Sequence, residues 1–341
     1  MTKKIIRNIL FALGIAQVIF LSSCSTDIDL LEEYKPITIV YGLLNTNEND
    51  QYIKINKAFL GEGNALLMAQ QRDSVNYQPN DLSVMLQKVN PLTGEVLQTI
   101  TCNETTGIDK DDGIFSNPYQ LLYYTNSSLD STSNYKLVIN RSVDGAQITA
   151  TTPLVSGVNV TNPSNSNSPI NLYNGTSNVY LPYNINWQSG KNAKLYNVVV
   201  RFTYYETLIS PPGTTDTFTL NYNLGNIVME DLNSTNAQSL RLEGERYFQF
   251  IGSSILQNTS VNRVADSTLQ ITLTAGAEDL FTYIQVNEPS IGLIQERPTF
   301  SNVNNGVGIF SSRWKKTLKN KMSNASINEL LNGPYTGQLF P

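Results

Sequence analysis

Apolar and polar residues alternate along much of the chain with the period of two that is typical of half-buried β-strands. Residues 52–59 alternate most regularly, and residues 37–44 before them are rich in β-branched and aromatic side chains. A turn-forming cluster separates these two runs, which predicts a hairpin, and the same pattern predicts further hairpins over 82–101 and 135–151. Short strands joined by turns at this spacing predict a β-sandwich domain over residues 34–155.

The second half of the chain predicts another β-rich domain after a linker. Residues 156–178 are rich in Asn, Ser and Pro, which favours a loop and makes this segment the best domain boundary. Strand patterns return in 179–341, where Trp187 and Tyr196 resemble a core pair of fibronectin-like sandwiches. Helical spacing predicts short helices over 245–257, 278–287 and 324–331. The predicted fold is mainly β: two Ig- or fibronectin-like β-sandwich domains, with a few short helices in the second.

Residues 1–23 have the layout of a secretory signal peptide. Basic residues precede an apolar run over 9–20 that is too short to cross a bilayer as a helix. The small pair Ser22-Ser23 followed by Cys24 resembles the bacterial lipobox, in which the cysteine sulfur takes a diacylglycerol and becomes the new N-terminus. Several acyl chains on one residue make a stable anchor, since each buried methylene adds about 0.8 kcal/mol. The alternative is an ordinary signal peptide with a chance cysteine.

The residue types that are rare or missing exclude several kinds of chemistry. The sequence contains no His, which excludes Ser-His-Asp and Cys-His catalytic systems and His-ligated zinc or copper. With Cys24 lipidated, Cys102 is the one remaining thiol, so no internal disulfide is expected and Cys102 is predicted to be a small buried residue. The net charge of −5, without an extended basic surface, argues against nucleic acid as a partner. We expect no metal and no cofactor beyond the lipid on Cys24.

One basic cluster near the C-terminus is a candidate contact surface for a membrane or a partner. It comprises Arg313, Lys315, Lys316 and Lys319, and Lys321 follows closely. These side chains could face lipopolysaccharide phosphates or an acidic partner. The alternative is that these residues form a solvent-exposed face without a binding partner.

Two patterns that suggest chemistry are better explained by local structure. Residues 109–113 contain the densest carboxylates, but Gly113 falls where a calcium loop needs a ligand and no Glu follows at the required spacing. Ser133 and Ser312 each begin a Ser-x-x-Lys sequence, but the companion motifs of penicillin-binding enzymes are missing. Two glycosidase carboxylates could still be distant in the chain and meet in a cleft.

Two segments resemble a family of Bacteroidetes outer-membrane lipoproteins that share a domain of unknown function (DUF4249). Residues 296–310 are similar to the C-terminal signature of that family, and residues 39–44 are similar to the opening of its N-terminal β-domain. The acidic tether 24–33 is similar to the signal that sends such lipoproteins to the cell exterior, although a solvated linker is the alternative. The resemblance carries no catalytic residues over.

Three serines resemble the O-glycosylation sites of exported Bacteroidetes proteins. Ser74, Ser131 and Ser267 each follow an Asp and precede a small or aliphatic residue, although chance could supply at least one such match in a chain rich in Ser and Thr.

The family resemblance implies a non-enzymatic accessory role beside an outer-membrane β-barrel of the TonB-dependent receptor type. The expected location is the outer membrane, with the lipid anchor on Cys24 and the protein facing the cell exterior. Two alternatives stay open: a subunit of an outer-membrane assembly or secretion machine, and a glycan-binding surface lipoprotein. The glycan alternative predicts exposed aromatic residues in a groove, whereas Trp187 and Trp314 have sequence contexts that favour burial or isolation.

Overall fold

The computed structural model describes residues 37–58, 64–116, 118–210, 213–288 and 299–340. The predicted signal peptide, Cys24 and the acidic tether lie outside these residues. Within the described part of the chain, no helix is both long and apolar enough to cross a membrane.

The fold is mainly β, as predicted, and its strands are short except for three in the second half. The first strands are β1 (Thr38–Asn45), β2 (Gln51–Lys57), β3 (Leu82–Val89), β4 (Val96–Thr105), β5 (Leu122–Thr125), β6 (Asn134–Arg141) and β7 (Gln147–Thr152). The next are β8 (Asn159–Asn162), β9 (Tyr173–Asn174), β10 (Val179–Tyr180), β11 (Pro182–Gln188), β12 (Leu195–Leu208) and β13 (Thr215–Val228). The last are β14 (Ala237–Glu243), β15 (Val261–Ala265), β16 (Thr268–Gly276) and β17 (Val307–Lys321).

Five short helices accompany the strands in the described residues. They are α1 (Ala65–Ala69), α2 (Arg72–Val75), α3 (Gly244–Ser254), α4 (Glu278–Asn287) and α5 (Asn324–Asn332). The last three agree with the helices predicted from apolar spacing. In α3, the buried residues Tyr247, Phe248 and Ile251 follow the expected i, i+1, i+4 pattern of a helix with one face in a core.

A large sheet connects the two halves of the chain. Its strand order is β13-β12-β16-β17-β1-β2-β5-β4-β3-β6-β7, and β15 pairs with the far end of β12. A smaller sheet has the order β14-β11-β8, and β9 pairs with β10. Because β17 pairs parallel to β1 and antiparallel to β16, this one strand belongs to both halves.

Each half has its own hydrophobic core. The first core gathers inward side chains of β1 to β7, including Val40, Leu44, Ile53 and Ile55, and also takes Phe310 from β17. The second core lies under β12, β16 and α3. Trp187 and Tyr196 are both fully buried in it with ring centroids 5.5 Å apart, so the predicted core pair is confirmed.

The sequence predicts a linker over residues 156–178, and the structure contradicts this prediction. This segment contains β8, which pairs with β11, and it places Val158, Val160, Ile170 and Leu172 in the second core. Polar turn-forming residues dominate the composition of this segment, so the pattern predicts a loop although these few apolar residues are buried. The described residues from Ile37 onward form one compact unit, which contains two hydrophobic cores that share β17.

The two segments that carry the family resemblance meet in this structure. The register of β1 and β17 places Gly42 opposite Phe310, and a Cβ atom on Gly42 would lie 2.9 Å from the Phe310 ring. Asn302 closes the preceding loop, since its side chain accepts a hydrogen bond from Phe310 N at 2.9 Å and donates one to Phe310 O at 2.7 Å. These residues therefore have packing roles at the point where the two halves join.

Candidate functional site

The predicted basic cluster lies on β17 and is divided between the two faces of the sheet. Side chains alternate along a strand, so Arg313, Lys315 and Lys319 share one face and Lys316 points to the other. Lys316 lies between Trp314 and Leu318, which pack against the second core. Lys315 and Lys319 are exposed, so the patch available to a partner is smaller than the sequence suggested.

The three predicted glycosylation serines differ in their accessibility. Ser131 is exposed in a turn that begins with Asp130, whose carboxylate pairs with Lys88 at 2.6 Å. Ser74 in α2 and Ser267 in the turn between β15 and β16 are half-buried. Of the three predicted glycosylation sites, Ser131 is therefore the most accessible to a modifying enzyme.

Both tryptophans are buried: Trp187 is 0% exposed and Trp314 is 7% exposed. Neither can line an open aromatic groove.

Among the described residues, no group of three or more acidic, Cys or His side chains is placed to hold a metal ion. Cys102 is buried, as predicted, and burial raises the pKa of its thiol to about 12.

A concave site that the sequence pattern does not indicate is a cleft of about 470 Å³. Its floor is the outer face of β1 and β2, because their alternate residues Val40 and Ile55 point into the first core and leave Tyr41 and Lys54 on the opposite side. We call this site the lysine cleft, after Lys54, Lys57 and Lys110 in its lining; Tyr41, Phe115 and Tyr119 supply its aromatic surface.

One wall of the lysine cleft is a loop whose residues are joined to one another by hydrogen bonds. Gln120 donates from its side-chain amide to the carbonyl oxygens of Ile108 and Asp109 at 3.2 and 3.3 Å. Lys110 donates from Nζ to the carbonyl oxygens of Phe115 and Ser116 at 3.1 and 3.3 Å. These contacts close the described part of the loop on itself.

The electrostatics of the lysine cleft are unusual for this protein. Lys54 Nζ donates to Gln120 Oε1 at 2.9 Å, and burial together with the charge of Lys110 lowers the pKa of Lys54. None of the ion pairs in the described part of the chain includes Lys54, Lys57 or Lys110. Among the described residues of the lining there is no Asp or Glu.

Elsewhere in the described part of the chain, the two buried cations, Arg141 and Arg263, each have a carboxylate partner. Arg141 is bonded to Asp144 at 2.6 Å and Arg263 to Glu206 at 2.7 Å. The lysine cleft instead presents ammonium groups and ring surfaces, which suits it to bind an anion. The sequence does not indicate an anion site here, because Lys54 lies at a polar position of an alternating strand, and such positions are predicted to face solvent.

Comparisons with known proteins give no family for this chain. No family model and no curated protein sequence matches the chain. A solved structure to which the chain is similar is the C-terminal globular domain of an oligosaccharyltransferase from Pyrococcus abyssi, with 9% identity over 69% of this chain and a TM-score of 0.21. The match spans about half of that domain's length, 49%, and a likeness at this level carries no functional argument.

Proposed function

We propose that this chain is a non-enzymatic, lipid-anchored protein that binds an outer-membrane β-barrel of the TonB-dependent receptor type. The lipobox-like segment ending at Cys24 supports the anchor, and the acidic tether supports an outward-facing location. The resemblance of residues 39–44 and 296–310 to a lipoprotein family supports the accessory role.

The observation that carries the binding proposal is the contrast between the two edges of the large sheet. The β7 edge is covered, because Thr149 and Asn304 exchange backbone hydrogen bonds of 3.2 and 2.8 Å. At the other end, β13 pairs only with β12 in the described residues. A bulge at Gly225 leaves residues 215–223 as a regular edge segment, which we call the open edge.

The open edge lacks the usual protection against pairing with another strand. Charged side chains and Pro commonly block exposed edges, but residues 215–223 contain Asp216 as their one charge and no Pro. An extended segment of a partner could add to this edge through main-chain hydrogen bonds. Lipids on Cys24 would assist by raising the effective concentration of the open edge at the membrane.

Purification of the full-length protein from detergent-solubilised outer membranes tests this function. The edge variant T217K/T219K adds two charges on exposed residues of β13. Its control, T235K/T259K, adds the same charges on exposed residues of a loop and a turn. We expect a β-barrel to co-purify in stable proportion with the wild type and the control, and to be lost from the edge variant and from Cys24→Ala.

Other results would favour the alternatives. Recovery of several subunits of an assembly or secretion complex would make the chain a component of that machine. Recovery of the wild type alone would contradict the accessory role, and glycan arrays would then test the glycan-binding alternative.

A further inference from the structure

We infer that the lysine cleft binds a small organic oxyanion, a compound that joins a carboxylate, sulfate or phosphate ester to a flat apolar body. This small-molecule site is separate from the open edge and does not depend on the proposed barrel partner.

The first argument is uncompensated charge. Lys54 is half-buried and has one described acceptor, Gln120 Oε1, for the three N–H groups of its ammonium ion. Lys110 donates to two carbonyl oxygens and lies close enough to Lys54 to affect its titration. Two cations in a partly desolvated cleft repel each other, so an oxyanion between them would relieve repulsion and accept their remaining hydrogen bonds.

The second argument is the apolar surface beside these cations. Tyr41 is 45% exposed and Phe115 is 51% exposed, although both lie in a concave site where burial would be favourable. Tyr119 is fixed from outside by the Arg72 guanidinium, which stacks 3.5 Å from its ring centroid. A bare inorganic anion would leave these surfaces uncovered, whereas a flat apolar body would cover them.

The third argument is size. A cleft of about 470 Å³ falls within the range of roughly 300–1,000 Å³ that is usual for small-molecule sites. This volume suits a compound of one or two rings. The cleft is too small to enclose a folded partner.

Calorimetric titration of the full-length protein in detergent micelles tests the inference, with a micelle-only blank. The probe is 2-naphthoate; 2-naphthamide is its neutral match and inorganic phosphate is the anion without a ring. We expect naphthoate to bind to one site, and naphthamide and phosphate to bind about tenfold more weakly or not at all, because both charge and ring contribute.

Lysine variants locate the site. Lys54→Gln and Lys57→Gln should each weaken naphthoate binding, Lys54→Gln by about tenfold, while Lys315→Gln on exposed β17 should bind as the wild type does. Thermal melting checks that each variant is folded. If Lys54→Gln is unstable, Lys57→Gln carries the test, because among the described residues the Lys57 side chain makes no hydrogen bond that holds the loop.

Competition with digalacturonate tests whether the flat apolar body is required, because this compound carries its carboxylates on polar sugar rings. Failure of digalacturonate to displace naphthoate agrees with the inference, and displacement at equal concentration would contradict it. Equal binding of naphthoate and naphthamide, equal binding of phosphate, absence of naphthoate binding, or an unchanged affinity in both Lys54→Gln and Lys57→Gln would each overturn it.

Discussion

Replacement of Gly42 by Ala should destabilise the protein through a single defined overlap. The added Cβ would lie 2.9 Å from Phe310 Cδ2 and 3.5 Å from Ile53 Cγ1, and both side chains are fully buried in the first core. Overpacking a core costs about 1–3 kcal/mol. The loss of chain freedom in the unfolded state offsets about 0.4–1 kcal/mol. We therefore expect a net loss of about 1–2 kcal/mol in the free energy of unfolding.

A double-mutant cycle separates this overlap from a general effect of Ala in a strand. Phe310→Ala alone should cost about 3–5 kcal/mol, since it leaves a cavity. In that background the ring is gone, so Gly42→Ala should become neutral or slightly stabilising. The expected coupling energy is therefore about 1–3 kcal/mol.

Urea unfolding followed by tryptophan fluorescence measures each variant, because Trp187 and Trp314 are buried in the second core. Gly113→Ala is the matched control, since a Cβ there would meet no atom within 4 Å. A Gly42→Ala effect equal to that of Gly113→Ala, or a coupling energy near zero, would refute the packing of Phe310 over Gly42.

Three further outcomes follow from the structure. Gly308→Ala should destabilise more than Gly42→Ala in the same urea assay, because Gly308 has φ +115° and its Cβ would overlap the Val40 carbonyl oxygen; equal stability would contradict this. The Arg141 guanidinium lowers the pKa of Asp144 to about 2. The ionised Asp144 carboxylate therefore stabilises the folded protein above about pH 4, and this contribution is lost as the pH falls through about 2. Asp144→Asn should therefore lower stability at neutral pH and flatten its decline in acid, measured by urea unfolding across pH. Buried Cys102 should react with Ellman's reagent only after unfolding, and fast labelling of the native protein would contradict its burial.

Local patterns predicted local structure well. Alternation located the strands of the three early hairpins, and helical spacing gave α4 its bounds, 278–287. The spacing of apolar positions within one helix or strand can be read from a short stretch of sequence, which explains why these elements were predicted. The same information cannot show that β17 pairs parallel to β1, more than 260 residues away in the chain.

The functional surfaces were harder to predict for the same reason. The lysine cleft needs β2 and the loop near Gln120 to be brought together, and the loop has no periodicity that fixes its position. The open edge is a property of strand order, which the pattern of β13 does not contain. The basic residues are close together along the chain, but strand alternation turns Lys316 away from Lys315 and Lys319.

Photo-crosslinking at the open edge in intact cells tests the central proposal most directly. A photoreactive amino acid is placed at Thr219, and at Thr235 as the exposed control. The proposed function predicts that position 219 forms an adduct with an outer-membrane β-barrel and that position 235 does not. No adduct at 219, an adduct only with a second copy of this chain, or equal yields at both positions would contradict it.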